Sequence, residues 1–216
     1  MPSIFYTEFI PLAVVHLLAV IAPGPDFAIT VSQTIRHGRR VGIATSLGIG
    51  LGISVHVVYT LMGVGALMLA SPEIAIAARL LGAGYLTYLA IQLLRAKPKS
   101  DLVVTGIPID DRPSFMRALC TGFLTNATNP KATLFFLSIF TTIVSPQTPL
   151  FLQTLYGVWM CSINALWFAL VAVFFSNANI RGQFVRFGVW FERLMGLCLI
   201  GFALRLFLPA FTMEQK

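Results

Sequence analysis

Charge is scarce in this chain. Only 11% of its 216 residues are Asp, Glu, Lys or Arg, and only eight are acidic, against about 25% charged residues in an average soluble domain. A soluble fold of this length would need a charged surface that the composition cannot supply, so the chain reads as an integral membrane protein, with mean hydropathy +0.84. Cysteine is also sparse. Cys120, Cys161 and Cys198 stand singly in apolar segments, with no CxxC and no neighbouring ligands, which makes them small buried hydrophobes rather than a metal or redox centre. There is no GKS or GKT, no HExxH and no GxSxG, so nothing calls for a cofactor, a nucleotide or a hydrolase. The N-terminus lacks a basic stretch ahead of its long apolar run, so the first segment is expected to stay in the mature protein rather than leave as a signal peptide.

What the chain has instead is apolar length. Six segments reach the roughly 20 residues a membrane-spanning helix needs: about 6–34, 42–69, 74–94, 117–143, 149–175 and 190–209. Most of the basic residues behind the net charge of +7 sit in short clusters between the apolar runs, so it is loop bias and not a nucleic-acid patch. Arg36, Arg39 and Arg40 follow the first segment, and Arg95, Lys97, Lys99, Arg112 and Arg117 flank the long polar stretch after the third. Arg181 and Arg186 follow the fifth, and the second and fourth connections have no basic residue. Because Lys and Arg accumulate on the cytoplasmic side, both termini are expected outside the cytoplasm.

The expected fold is all-α: six transmembrane helices in two inverted three-helix repeats. Residues 1–95 form the first repeat, 96–114 a cytoplasmic linker and 115–216 the second repeat. Weak internal similarity agrees with this division. "RLLG" at Arg79–Gly82 opens the third span, and "RLMG" at Arg193–Gly196 falls early in the sixth. "APGPD" in the first span answers to "TNPKA" in the fourth, and aligning Pro25 with Pro130 sets Asp26 against Lys131.

Paired interruptions at corresponding places in two inverted halves point to a transporter's substrate site. Proline lacks an N–H and crowds the preceding turn, which leaves carbonyls that must face protein or a wet cavity. Asp26 lies ten residues before Arg36 and Lys131 fourteen after Arg117, roughly 15 and 21 Å if helical, so both are near mid-membrane. Ionised groups at that depth cost at least about 2.5–3.5 kcal/mol each on insertion scales. Two readings stay open: a mutual ion pair that only locks the halves together, or a switchable pair. In the second, Asp26 contacts a substrate ammonium or carries a proton, and Lys131 or a half-helix N-terminus receives a carboxylate.

Other polar residues are less specific. Asp26, Thr30 and Gln33 share a helical face, as do Thr128, Lys131, Ser138 and Thr142; ordinary helix-to-helix hydrogen bonding would explain the hydroxyls equally. Tyr85, Tyr88, Gln92 and Arg95 form a third stripe, either lining or interfacial. Asn126, Asn129 and Asn164 could line a cavity or cap backbone groups freed by the breaks, and His16 and His56 are lone intramembrane histidines. Ala44, Gly48 and Gly52 make a small-residue face that packs within one chain or between two copies, as a homodimer would require.

The segments "VHLLAVIAPGPDFAITVSQT" (Val15–Thr34), "GAGYLTYLAIQLLR" (Gly82–Arg95) and "FMRALCTGFLTNATNPKATLFF" (Phe115–Phe136) resemble the lysine exporter superfamily, in its RhtB branch of amino-acid exporters. The resemblance covers nearly the whole chain. It implies six transmembrane helices in the bacterial inner membrane and export of amino acids or their derivatives, coupled to protons. It carries Pro23, Gly24, Pro25 and Asp26 onto the first motif and Asn129, Pro130, Lys131 and Ala132 onto the second. The superfamily's thiol-redox branch needs paired intramembrane cysteines, which are absent here. With Thr30, Gln33, Asn126 and Tyr85, the motif residues are the candidates for substrate binding or ion coupling.

The leading function is therefore a secondary exporter of neutral amino acids such as threonine or homoserine, with an amino-acid substrate, protons and the lipid bilayer as partners. Export of a metal ion or another small solute is the alternative; it would want a cluster of carboxylates, histidines or thiols, and only Asp26, His16 and His56 are available. An intramembrane enzyme is the third class, disfavoured by the missing signatures.

Overall fold

The computed structural model describes residues 5–64, 71–96 and 113–212, and among them there is no strand. Eight α-helices follow in order: α1 (Ile10–Ile21), α2 (Pro25–His37), α3 (Arg39–Tyr59), α4 (Pro72–Leu94), α5 (Phe115–Ala127), α6 (Pro130–Thr142), α7 (Leu150–Phe175) and α8 (Ala178–Thr212). A π-helical turn, Phe5–Phe9, leads into α1, and a second, Thr60–Val64, extends α3. Most of the linker expected at 96–114 and the end of the second expected span lie outside the described residues.

Three stretches, Arg39–Gly63, Pro72–Leu94 and Leu150–Phe175, are each long and apolar enough to cross a membrane, and the bent pair Tyr6–Ile21 with Pro25–His37 makes a fourth if counted as one span. The first and fourth expected spans are each two short helices, and the reason is local. Pro25 and Pro130 occupy the first turns of α2 and α6, where the missing N–H is not needed. The residue before each is held out of the helical region: Gly24 at φ −166°, ψ −167° and Asn129 at φ −76°, ψ 109°. Both half-helices after the break are 13 residues long.

Two expectations need correcting. The last helix begins at Ala178, so the connection expected between the fifth and sixth segments, over "SNANIRGQFVR" from Ser176, shrinks to Ser176 and Asn177. Asn177 Oδ1 accepts the Asn179 N–H at 2.9 Å, and no proline follows until Pro209, so nothing stops a helix there. The cysteines are not core residues either: Cys120 and Cys198 are exposed and Cys161 is intermediate. A lipid-facing surface accepts a small apolar side chain as readily as a core does, so burial does not follow from apolarity in a membrane protein.

The small-residue face of α3 is used inside the chain. A Cβ on Gly48 would stand 2.0 Å from Leu119 O of α5, and one on Gly122 of α5 would stand 1.9 Å from Thr45 O. The two backbones touch, as small-xxx-small faces allow, and that face is not free to join a second copy. Leu12, Val15, Leu86, Ile139, Met160 and Leu199 are fully buried, while Met62, Leu81, Phe151 and Trp190 are exposed. In water such an outer surface would aggregate; against acyl chains it is the expected arrangement. The two "RLxG" segments have different neighbours: Gly82 packs against Thr141 of α6, and Gly196 against Ala90 and Leu94 of α4.

Candidate functional site

Both helix breaks meet at one place. The carboxylate of Asp26 stands in the first turn of α2, the positive end of that helix dipole. Its Oδ2 accepts from the side-chain amides of Asn126 (3.0 Å) and Asn129 (3.1 Å), one from the end of α5 and one from the cap of α6. Asn129 does double duty, because its Oδ1 also accepts the Lys131 N–H at 3.0 Å. These contacts fix the amide orientations without ambiguity, since a carboxylate can only accept and an N–H can only donate. Asp26 Oδ1 is buried without a hydrogen-bond partner.

Lys131 faces the opposite problem. It lies in the first turn of α6, where the helix dipole disfavours a cation. Its stem runs beside Gly24, where a Cβ would be 3.4 Å from Cδ and 3.5 Å from Nζ. The ammonium then donates to Ala22 O at 3.1 Å, the last carbonyl before the break and the negative end of α1. Each charge thus sits at the helix end that suits it.

Around this junction lies a cavity of about 50 Å³, lined by Asp26, Asn126, Asn129, Lys131, Gly24 and Ala22, and by a second group of His16, Asn164, Phe27, Phe135, Phe136 and Phe168. That is room for a few ordered waters. A second cavity of about 540 Å³ shares the Ala22 and Lys131 wall and is lined also by Pro23, Tyr88, Gln92, Arg95 and Glu192. Lys131 stands between the two. In the larger cavity Gln92 and Tyr88 are hydrogen-bonded to one another.

Of the residues singled out in the sequence, His16, Gly24, Asp26, Asn126, Asn129, Lys131, Ala132 and Asn164 line the small cavity, and Pro23, Tyr88, Gln92, Arg95 and again Lys131 the large one. Pro25 and Pro130 shape the breaks without lining either. Thr30 and Gln33 are not among the lining residues of either cavity; the Thr30 hydroxyl donates to Asp26 O at 2.8 Å, within its own helix. Thr128, Ser138 and Thr142 likewise donate to carbonyls four residues back. Tyr85 supports the site from behind, donating to Lys131 O at 3.1 Å and joining α4 to α6.

Sequence reasoning undervalued four residues. His56 is buried, and its Nε2 bonds Asn126 O at 2.9 Å while its ring stacks on Phe136. Gly52 makes room for Asn126, since a Cβ there would be 2.8 Å from Asn126 Cβ. His16 and Asn164 are hydrogen-bonded to each other at the cavity. The signal for the first two was present as the four-residue step from Gly48 through Gly52 to His56. What it served could not be seen without α5.

A family model described as LysE type translocator matches residues 17–209. The chain is 27% identical over 200 residues to a threonine efflux protein of Escherichia coli (strain K12), covering 92% of this chain and 96% of that one. A threonine efflux protein of Salmonella typhi is 26% identical over the same shares. The uncharacterized membrane protein YahN of Escherichia coli (strain K12) is 28% identical over 190 residues, 88% of this chain and 84% of that one. No solved structure matches the chain. With apolar helices long enough to span a bilayer and a family model covering nearly its full length, the chain is a multi-pass protein of the bacterial inner membrane and belongs to the LysE type translocator family.

Proposed function

We propose that this protein exports small neutral amino acids of the threonine and homoserine type from the cytoplasm in exchange for protons. One observation carries the reading: Asp26 has one oxygen held by two amides and the other buried without a partner on a cavity wall, with the Lys131 ammonium on the same wall. A free carboxylate oxygen and an ammonium at the junction of two broken helices suit the two ends of a zwitterion. Relatives named as threonine efflux proteins support the substrate class.

On this reading the chain makes six spans in two inverted halves, joined by the linker at 96–114. The matched 13-residue half-helices after Pro25 and Pro130 support that division. The large cavity, which reaches Arg95 at the basic end of α4, opens toward the cytoplasm by the distribution of loop charge. Substrate arrives there and meets Lys131 before Asp26.

Reconstitution tests the proposal. Wild-type proteoliposomes should show threonine counterflow and proton-driven efflux. In Asp26→Asn the amide oxygen can still accept from Asn126 and Asn129, so the protein should insert normally, but its Nδ2 turns a donor toward the cavity. Gradient-driven efflux should be lost. If exchange survives, the carboxylate couples protons; if exchange is lost too, it contacts substrate. A purely structural charge pair predicts instead that Asp26→Asn combined with Lys131→Met recovers transport, and that recovery would refute the proposal.

A further inference from the structure

Two residues that line the small cavity outside both motifs carry a buried polar atom without a hydrogen-bond partner, Asn126 at Oδ1, an acceptor, and His16 at Nδ1. His16, on α1, is 1% exposed, and its Nδ1 is buried without a hydrogen-bond partner. Its protonation can be deduced from the neighbouring geometry. Asn164 Nδ2 lies 2.9 Å from Met160 O and 2.8 Å from His16 Nε2. A carbonyl only accepts, so the Asn164 atom facing Met160 is the amide nitrogen, and its second hydrogen is directed at His16 Nε2. That nitrogen therefore accepts, and the imidazole proton sits on Nδ1. The ring is packed against Trp159 at 5.3 Å and Phe135 at 6.0 Å between centroids, so it has little freedom to turn away. A neutral, oriented N–H donor is thus held unpaired in a cavity wall, and a buried donor left unpaired costs about 1–3 kcal/mol.

Its place along α1 says what would satisfy it. His16 is six residues before Ala22, whose carbonyl holds Lys131, and six residues of helix is roughly 9 Å. Two hydrogen bonds plus the few ångströms of a small amino acid bridge that distance. With the substrate ammonium on Asp26 and its carboxylate on Lys131, the remaining contact falls on the side chain, and a single neutral N–H suits a neutral oxygen. Building on the proposed amino-acid export, we infer that His16, oriented by Asn164, is a specificity-determining residue that donates its Nδ1–H to the side-chain hydroxyl of the substrate.

Threonine and valine are nearly isosteric and differ in this hydroxyl, so their ratio isolates the contact. The measurement is counterflow of labelled threonine in proteoliposomes of the full chain, competed by unlabelled threonine or valine. Wild type should prefer threonine about 5- to 150-fold, the equivalent of leaving one buried donor unpaired. His16→Asn, whose amide nitrogen falls where Nδ1 was, should keep the preference. His16→Phe should bring the ratio to within about threefold, since no donor is then left unpaired by valine. His16→Gln, which moves its amide to the Nε2 position and retains a polar partner for Asn164, should lose the preference in the same way even if the Phe variant fails to insert. A wild-type ratio that persists in the Gln variant, or a wild type that does not discriminate, overturns the assignment and leaves Nδ1–H to an ordered water, with amino-acid export still standing. A wild type that exchanges no amino acid overturns the export reading, and this inference with it.

Discussion

Adding one methyl group at Gly52 should separate what holds the fold from what holds the site. At Gly48 a Cβ would stand 2.0 Å from Leu119 O and 2.8 Å from Leu119 C, both backbone atoms of a neighbouring helix. They cannot yield unless α3 and α5 move apart. At Gly52 the nearest atoms are Asn126 Cβ at 2.8 Å, Asn126 Oδ1 at 2.9 Å and Phe123 O at 2.9 Å, a milder overlap that falls partly on a side chain. Overpacking costs about 1–3 kcal/mol, and replacing a helical glycine by alanine returns about 1 kcal/mol of propensity. Gly52→Ala at the low end should be near neutral. Gly48→Ala at the high end should lose about 2 kcal/mol, or about 4–8 °C of melting temperature for a chain of this size. Function should follow the opposite order. Asn126 is one of two donors to Asp26 Oδ2, and a hydrogen bond to a charged group is worth about 1.5–3 kcal/mol. Displacing it should slow threonine counterflow roughly 10- to 150-fold in Gly52→Ala. Thermal melting in detergent and counterflow on the same preparations read the two effects separately. Unchanged transport in Gly52→Ala, or a lower melting point there than in Gly48→Ala, would refute the reasoning.

Two further expectations concern the ends of the helices. Glu8 is buried and accepts from Thr148 Oγ1 at 2.7 and 2.8 Å and from Ser145 N at 3.2 Å, so Glu8→Ala strands these two donors at about 1–3 kcal/mol each; it should lower the melting temperature by about 4–24 °C while leaving the preference for threonine over valine unchanged. For orientation, a variant lacking Cys120, Cys161 and Cys198 and carrying Ser71→Cys should be labelled from outside the cell by an impermeant maleimide, whereas Ser100→Cys in that background should be spared; the reverse pattern would invert the assigned topology.

The sequence made the breaks legible because proline imposes its constraint locally. Pro25 and Pro130 need no tertiary partner to end one helix and begin another, and Asp26 and Lys131 are conspicuous because ionised groups are rare in apolar runs. Tertiary contacts were not legible. The polar stripe of Thr30 and Gln33 had the right period for a lining face, but a hydroxyl in a helix can always bond the carbonyl one turn back, and Thr30 does so. His16 and His56 looked alike as lone histidines. Only the opposing helices, with Asn164 on one and Asn126 on the other, distinguish a donor at the cavity from a brace behind it. The extra turns of α8 were hidden for a related reason: polar residues outside the bilayer can extend a helix without any apolar signal.

The arrangement of charge at the breaks also bears on how a substrate could couple the two cavities. Lys131 lies in the first turn of α6, so its ammonium gains nothing from its own helix dipole, and it donates to Ala22 O, a neutral acceptor across the break. A substrate carboxylate is a stronger acceptor for an ammonium than a backbone carbonyl is, because the bond is then charge-assisted on both sides. On the proposed reading, a substrate carboxylate in the large cavity competes with Ala22 O for the Lys131 ammonium. Asp26 is held differently: two amides grip Oδ2, so a substrate ammonium can take Oδ1 without displacing anything. On the proposed reading the substrate carboxylate meets Lys131 on the wall that the two cavities share, and the substrate ammonium is delivered to Asp26 Oδ1.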